Sequence, residues 1–315
     1  MYINVIRYPF LVFFFVLSSI SAQYSNDTIV AEKGDGIFSI LRKSGMDPVK
    51  YYEKFLLLNE GNIKNGSELI IGKKYILPLA PDSFKNMGIK ISVGTLQEEP
   101  IFDKNRLMLM KAKDSSLKNT VYYLVNSGYG KDKNNFGDMV QHLSKDLLER
   151  GARVYVLQSD SLEENIERDS NGLTGKKTIY GEYSSIVNKK YIKHNGSYQR
   201  LLLFEDQLEN EKNMTVSVHY FNESQQGEKL AKNLQKVIRK NALKSTAAKD
   251  GISSFDDGVR VFFAKNVLPP VITLDFKETS DPSEKGIKVK TDKKLLVNIL
   301  KDGILQDHAN LTFEK

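Results

Sequence analysis

The chain of 315 residues contains no cysteine. That excludes a disulfide scaffold, a Cys-ligated zinc site, an iron–sulfur cluster and a cysteine nucleophile. Histidine is scarce as well: with four in the whole chain, any metal must be held by them and by carboxylates. No run of Lys and Arg interleaved with aromatics follows one face, so the net charge of +7, spread over Lys-rich loops, reads as solubility and not as nucleic-acid binding. A Gly-x-Ser-x-Gly elbow is missing, which weighs against a serine hydrolase. The Gly128–Gly130 loop lacks the following Gly-x-x-x-x-Gly-Lys of a phosphate cradle.

There is also only one long apolar run. Arg7 precedes Phe10-Leu-Val-Phe-Phe-Phe-Val-Leu17, and small residues follow to Ala22. A positive start, a short apolar stretch and a small-residue site describe a secretory signal peptide over 1–22, cleaved after Ala22. The run is too short to cross ~30 Å of hydrocarbon. The mature chain is therefore expected to be extracytoplasmic, in the periplasm or secreted, with no membrane span.

What remains is rich enough to bury a core, at 40% hydrophobic and 27% charged residues. Its length is a prior for about two domains. Residues 29–78 form a compact unit that reads β-α-α-β. Gly34-Asp35-Gly36-Ile37 opens a helix, 47–57 is a second, and Leu69, Ile71, Tyr75 and Leu77 mark a closing loop and strand. Residues 79–100 read as a linker and 101–119 as a strand pair. From 120 onward strands alternate with helices, which predicts an α/β domain with a mostly parallel sheet over 101–315. Strands are expected at 120–126, 153–158, 215–219, 259–263 and 270–276, and helices at 136–150, 198–211, 227–240 and 292–307. The charged stretch 159–195 reads as an insertion outside the core.

The first unit resembles the LysM family. Gly34-Asp35-Gly36-Ile37 matches the family's opening turn, Asn59 its mid-domain Asn, and Leu69, Gly72, Tyr75 and Pro78 its closing rhythm. The resemblance implies binding of peptidoglycan or another N-acetylglucosamine-containing glycan in a shallow groove. That groove maps to Gly34, Asp35, Gly36, Ile37 and Phe38 on one side and Asn59, Gly61, Asn62 and Ile63 on the other. Exposed backbone N–H groups at the glycine turns suit acetamido carbonyls, while Ile37 and Ile63 offer apolar contact. A plainer role for Gly34 and Asp35, capping the helix, is compatible with this.

Three strings of the second domain can carry chemistry: Leu124-Val-Asn-Ser-Gly-Tyr-Gly-Lys-Asp132, Ser217-Val-His-Tyr-Phe-Asn222 and Pro269-Pro-Val-Ile-Thr-Leu-Asp-Phe276. Groups at strand carboxyl ends meet in one crevice of an open α/β sheet, so Tyr129, Asp132, His219 and Asp275 are expected to converge. These strings resemble the zinc-dependent N-acetylmuramoyl-L-alanine amidases, in the LysM-fused Bacteroidetes-type form. Pro100-Ile-Phe-Asp-Lys104, Leu117-Lys-Asn-Thr-Val-Tyr-Tyr-Leu-Val125 and Gly151-Ala-Arg-Val-Tyr155 carry the likeness outside the site.

By that resemblance the zinc ligands fall on Tyr129, Asp132 and His219, and the catalytic carboxylate on Asp275. Tyr129 stands where the family has His, and Asp275 is one methylene shorter than the family's Glu. A phenol with a pKa of about 10 is a poor ligand. One imidazole and one carboxylate would not bring a bound water near neutrality. The expectation is a wall-binding protein whose amidase-like domain is catalytically impaired and carries no cofactor, with another cell-wall enzyme as a candidate partner. The alternative is an active zinc amidase cleaving the bond between N-acetylmuramic acid and L-Ala.

Overall fold

The structure is a computed structural model. It describes residues 27–127, 133–159, 173–207, 213–243, 251–255, 258–278, 286–290 and 292–312. The expected signal peptide, Tyr129 and Asp132 lie outside the described residues.

The first unit is β-α-α-β. Strand β1 (Thr28–Val30) pairs antiparallel with β2 (Lys74–Ile76), and helices α1 (Ile37–Lys43) and α2 (Pro48–Leu58) lie between them in sequence. The Asp47 side chain caps α2 by accepting from the Val49 and Lys50 N–H groups, and Pro48 sits where a helix tolerates it best. Ile37, Ile40, Leu41, Tyr51, Phe55 and Tyr75 form a core separate from the rest.

The remainder is one α/β unit whose sheet has nine strands among the described residues. Its strands are β3 (Gly88–Val93), β4 (Gln97–Pro100), β5 (Thr120–Asn126), β6 (Arg153–Ser159), β7 (Tyr198–Gln207), β8 (Asn213–Tyr220), β9 (Ile252–Ser254), β10 (Val271–Glu278) and β11 (Ile287–Lys290). The order is β11-β8-β10-β7-β5-β6-β3-β4, with β9 also on β8. The central pairings β3·β6, β6·β5, β5·β7 and β7·β10 are parallel, while β8, β11 and β4 join antiparallel. The mixed α/β, mostly parallel architecture is the expected one.

The helices are α3 (Lys104–Leu109), α4 (Lys133–Leu148), α5 (Leu173–Lys193), α6 (Gln225–Lys240), α7 (Gly258–Asn266) and α8 (Lys293–Thr312). Alternation along each strand divides the core in two. Tyr122, Leu124, Leu202, Phe204 and Leu274 face α4, α6 and α8. Val121, Tyr123, Leu201, Leu203 and Val271 face α5 and α7. Each large side chain so buried contributes about 1.5–3 kcal/mol.

Several expected elements differ. Residues 198–211 were expected to be helical, but 198–207 are the central strand β7. It is buried on both faces, so its unbroken Leu201–Phe204 run has no alternation to betray it. Residues 259–263, expected as a strand, belong to helix α7, where Val259 and Phe263 fall one turn apart on the buried face. The supposed insertion 159–195 supplies α5, which buries Tyr180, Tyr183 and Val187 against the sheet. Residues 88–100 of the supposed linker form β3 and β4, and 101–119 hold α3 where a strand pair was expected.

Candidate functional site

In the first unit the expected groove residues divide into scaffold and surface. Asn59 is buried. Its Nδ2 donates to the Phe55 and Ile76 carbonyls at 2.8 Å each, and its Oδ1 accepts from the Ile76 N–H at 2.8 Å. Its amide thus ties the end of α2 to β2 and has little left for a ligand. Ile37 lies in the core. The Asp35 carboxylate accepts from the Glu32 N–H at 2.9 Å, from Ser39 Oγ at 2.7 Å and from Lys43. Burial would raise its pKa, but the Lys43 hydrogen bond and its companions hold it below the usual carboxylate range. Gly34 (φ +88°), Gly36, Phe38 and Gly61 are exposed, and Asn62 and Ile63 half-buried. Phe38 leans on Tyr52 at a centroid distance of 5.1 Å. Ile37 and Ile63 pack on one core, so the two predicted groove segments border the same cluster.

In the second unit His219 and Asp275 meet, with Nε2 3.2 Å from Oδ2. Their meeting is not at a common strand end. Strand β8 runs antiparallel to β10, so His219 is opposite Thr273 and reaches Asp275 diagonally on one face of the sheet. The other imidazole nitrogen, Nδ1, is 2.7 Å from Ser253 Oγ on β9, the cross-strand neighbour. A carboxylate oxygen only accepts, so Nε2 carries the proton in this contact.

Two further residues complete the cluster. Glu205 on β7 is the register partner of Asp275 on β10. Arg260 of α7 reaches over both, its Nη2 2.8 and 3.0 Å from the two Asp275 oxygens and hydrogen-bonded to Glu205 Oε2. Tyr180 of α5 donates to the other Glu205 oxygen at 3.0 Å. The charged side chains are 6% to 18% exposed, so little water competes with these contacts. Burial alone would raise the Asp275 pKa, but the His219 hydrogen bond and the Arg260 charge hold it below the ordinary range. Burial would lower the Arg260 pKa, but the Glu205 and Asp275 charges hold the guanidinium firmly protonated.

Sequence reasoning missed Glu205 because 198–207 did not read as a strand. It missed Arg260 because 259–263 did not read as a helix. The cluster does not suit a catalytic zinc, which takes three imidazole or carboxylate donors and keeps one position open. Here a fixed cation sits against both carboxylates. Among the described residues no set of three His, Asp or Glu side chains is spaced to hold a metal ion.

No protein-family model and no curated protein matches the chain. Among solved structures it is similar to the N-acetylmuramyl-L-alanine amidase Ami1 from Mycobacterium smegmatis, at 9% identity and a TM-score of 0.41, covering 62% of this chain and 99% of that one. It is similar to the CwlD amidase from Clostridioides difficile, solved in complex with the GerS lipoprotein, at 14% identity and a TM-score of 0.37, covering 60% and 98%. A metallo-carboxypeptidase from Burkholderia cenocepacia matches at 8% identity and a TM-score of 0.34, covering 62% and 58%. Likenesses this distant assign no reaction, and the functional reading rests on the chain's own residues.

Proposed function

We propose that this chain is an exported cell-wall protein in which a LysM-type unit at 29–78 binds N-acetylglucosamine-containing glycan. In this reading residues 1–22 are a signal peptide, and the α/β unit is an amidase-like domain without zinc-dependent turnover, serving wall or partner binding. The observation that carries the second half is Arg260 seated on Asp275 and Glu205. A carboxylate that is to act as a base needs free access to a water or substrate proton. Asp275 has both oxygens within hydrogen-bonding distance of a guanidinium, and one also faces an imidazole. A guanidinium never gives up its proton under ordinary conditions and cannot supply a hydroxide.

The first half is supported by the β-α-α-β unit with its own core and by exposed backbone at Gly34, Gly36 and Gly61. Asn59 and Asp35 shape the two segments, and Phe38 and Ile63 offer apolar surface beside them.

The mature chain is tested by co-sedimentation with purified peptidoglycan, with chitin oligomers as competitors. Stem-peptide release from muropeptides is followed in the same samples. Pelleting that the oligomers compete away, with no peptide released, is the expected result. A chain that stays in the supernatant overturns the glycan-binding half. Zinc-dependent release of stem peptide by the unmodified chain overturns the other half and reinstates the active amidase.

A further inference from the structure

We propose that the cleft between α3 and α4 receives the free carboxyl terminus of a peptide whose last side chain is apolar. The inference rests on the reading that the α/β unit serves partner binding, and it names the chemistry of that partner. The cleft is on the opposite side of the sheet from Arg260. Helix α4 packs against Tyr122 and Leu124, and α7 against Tyr123 and Val125.

Three observations carry it. The first is a cavity of about 260 Å3 between Arg106 and Leu109 of α3 and one turn of α4, Gln141 to Lys145. Phe102 and Met110, 6% and 2% exposed, form its apolar floor, and Leu109, 81% exposed, stands at its rim. The second is the sign of the charge. The lining holds two fixed cations, Arg106 and Lys145, and no carboxylate. Nearby cations are paired: Lys113 with Asp146 and Glu149, and Arg150 with Asp114. Arg106 Nη1 instead donates to the neutral Gln141 Oε1 at 2.9 Å, and among the described residues the guanidinium has no carboxylate partner. Lys145 has Glu149 at 3.8 Å, a carboxylate that Lys113 already holds at 2.9 Å. The third is donor direction. Arg106 engages the Gln141 oxygen, so the amide nitrogen, which only donates, is what Gln141 offers a ligand.

These features select the occupant. Arg106, Lys145 and the Gln141 nitrogen are donors alone, and so call for an anion with acceptor oxygens, which a carboxylate supplies. The floor calls for a compact apolar group beside that charge. Drug-sized ligands occupy roughly 300–1,000 Å3, so this cavity suits one residue of a chain and not a two-tailed lipid. A terminal residue unites carboxylate and apolar side chain on one Cα. An internal Asp or Glu would have to borrow its apolar group from a neighbour. The exposed Leu109 rim leaves the rest of the peptide free to lead away along the surface.

The experiment follows the fluorescence anisotropy of a fluorescein-labelled pentapeptide ending in Leu, added to the full mature chain as the free acid and as the carboxamide. A parallel free acid ends in Gly, and octanoate serves as an unlabelled competitor. The Leu-terminated acid should bind about 10-fold or more tighter than either control, from the lost charge contact in one and the lost side-chain burial in the other. Arg106→Met keeps the aliphatic stem and should reproduce the loss seen with the carboxamide, and Arg106→Lys should recover part of it. Leu109→Ser should weaken the Leu-terminated acid and leave the Gly-terminated one unchanged. Arg106 and Leu109 are exposed, so these variants should fold, which circular dichroism verifies.

Equal binding of acid and carboxamide, binding of neither, or full affinity in a folded Arg106→Met variant overturns the inference. So does octanoate that binds where the peptide does not, since the cavity would then take an aliphatic acid. None of these outcomes touches peptidoglycan pelleting or stem-peptide release, by which the proposed function is judged.

Discussion

The Phe84 ring fills the space that a side chain on Gly45 would need: a Cβ there would lie 2.0 Å from Cδ1 of the ring. Gly45 ends the turn after α1 with φ +72°, and Phe84 is part of the large core of the α/β unit. Beside them Ser83 Oγ donates to the Ser44 carbonyl at 2.8 Å, both residues buried. The two units therefore share a close-packed seam. Gly45→Ala should cost about 2–5 kcal/mol, from left-handed strain and overpacking together. Chemical denaturation of the full chain measures it. A variant as stable as the native chain would mean that the ring swings aside freely.

Asn59 and Phe38 should separate scaffold from surface in the first unit. Asn59→Ala strips hydrogen-bond partners from the Phe55 and Ile76 carbonyls and the Ile76 N–H, at about 1–3 kcal/mol for each group left buried and unpaired. Its melting temperature should fall, and glycan binding with it. Phe38→Ala removes an exposed ring that leans on Tyr52, and should shift stability by no more than about 1 kcal/mol while weakening peptidoglycan pelleting. Undiminished pelleting by the Phe38 variant would exclude that ring from the binding face.

The sequence made the sheet partly legible and the site less so. Strands β5, β6, β8 and β10 were readable because apolar β-formers are bounded by turns, and α6 because Leu230, Leu234 and Val237 repeat at helical spacing. Strand β7 escaped because a doubly buried strand lacks the period-two signal, and helix α7 because Val259-Arg-Val-Phe-Phe263 has strand-like composition. The misreadings propagated directly to the site. His219 and Asp275 were expected to converge and lie side by side, but the sequence did not bring in Glu205 on the far side of the Asp275 strand, nor the Arg260 that neutralises the two carboxylates. Long-range pairing, absent from any local window, decides which carboxylates are neighbours.

The depressed Asp275 pKa ties stability to acid. Its carboxyl sits lower in the folded chain than in the unfolded chain, where the value is about 3.9. Its contribution is therefore fully present above that value and is lost as pH falls through the lower folded value. Asp35 acts in the same sense. Asp275→Asn should lower stability at neutral pH by about 1–3 kcal/mol, since Arg260 loses one of its two carboxylates but keeps Glu205. The same variant should show a flatter stability profile below about pH 4, read by denaturation at a series of pH values. An unchanged acid profile would place the linkage on other carboxylates.

Far from this cluster, Asp307 of α8 fastens the last helix to the sheet through a buried ion pair. Its Oδ2 lies 3.5 Å from Arg200 Nε, an ion-pair contact too long and poorly aligned to count as a hydrogen bond, with the two side chains 1% and 3% exposed. Asn233 of α6 donates to Oδ1 at 3.1 Å and the Tyr198 hydroxyl donates to Oδ2. Arg200 in turn lies over the Tyr198 ring at 4.0 Å and donates to Gln226 Oε1 at 3.0 Å. Strand β7 and helices α6 and α8 thus meet at one carboxylate. Asp307→Ala leaves the Arg200 charge buried without its counter-ion and should cost about 3–5 kcal/mol. Asp307→Asn keeps an acceptor for the Asn233 or Tyr198 donor and should cost less. The decisive comparison is Arg200→Met with Asp307→Leu: replacing both charges by apolar side chains removes the desolvation penalty together with the attraction. If the pair acts by mutual compensation, this double variant should unfold at higher denaturant than Asp307→Ala alone. A double variant no more stable than Asp307→Ala would show that the unpaired Arg200 charge is not what makes Asp307→Ala costly.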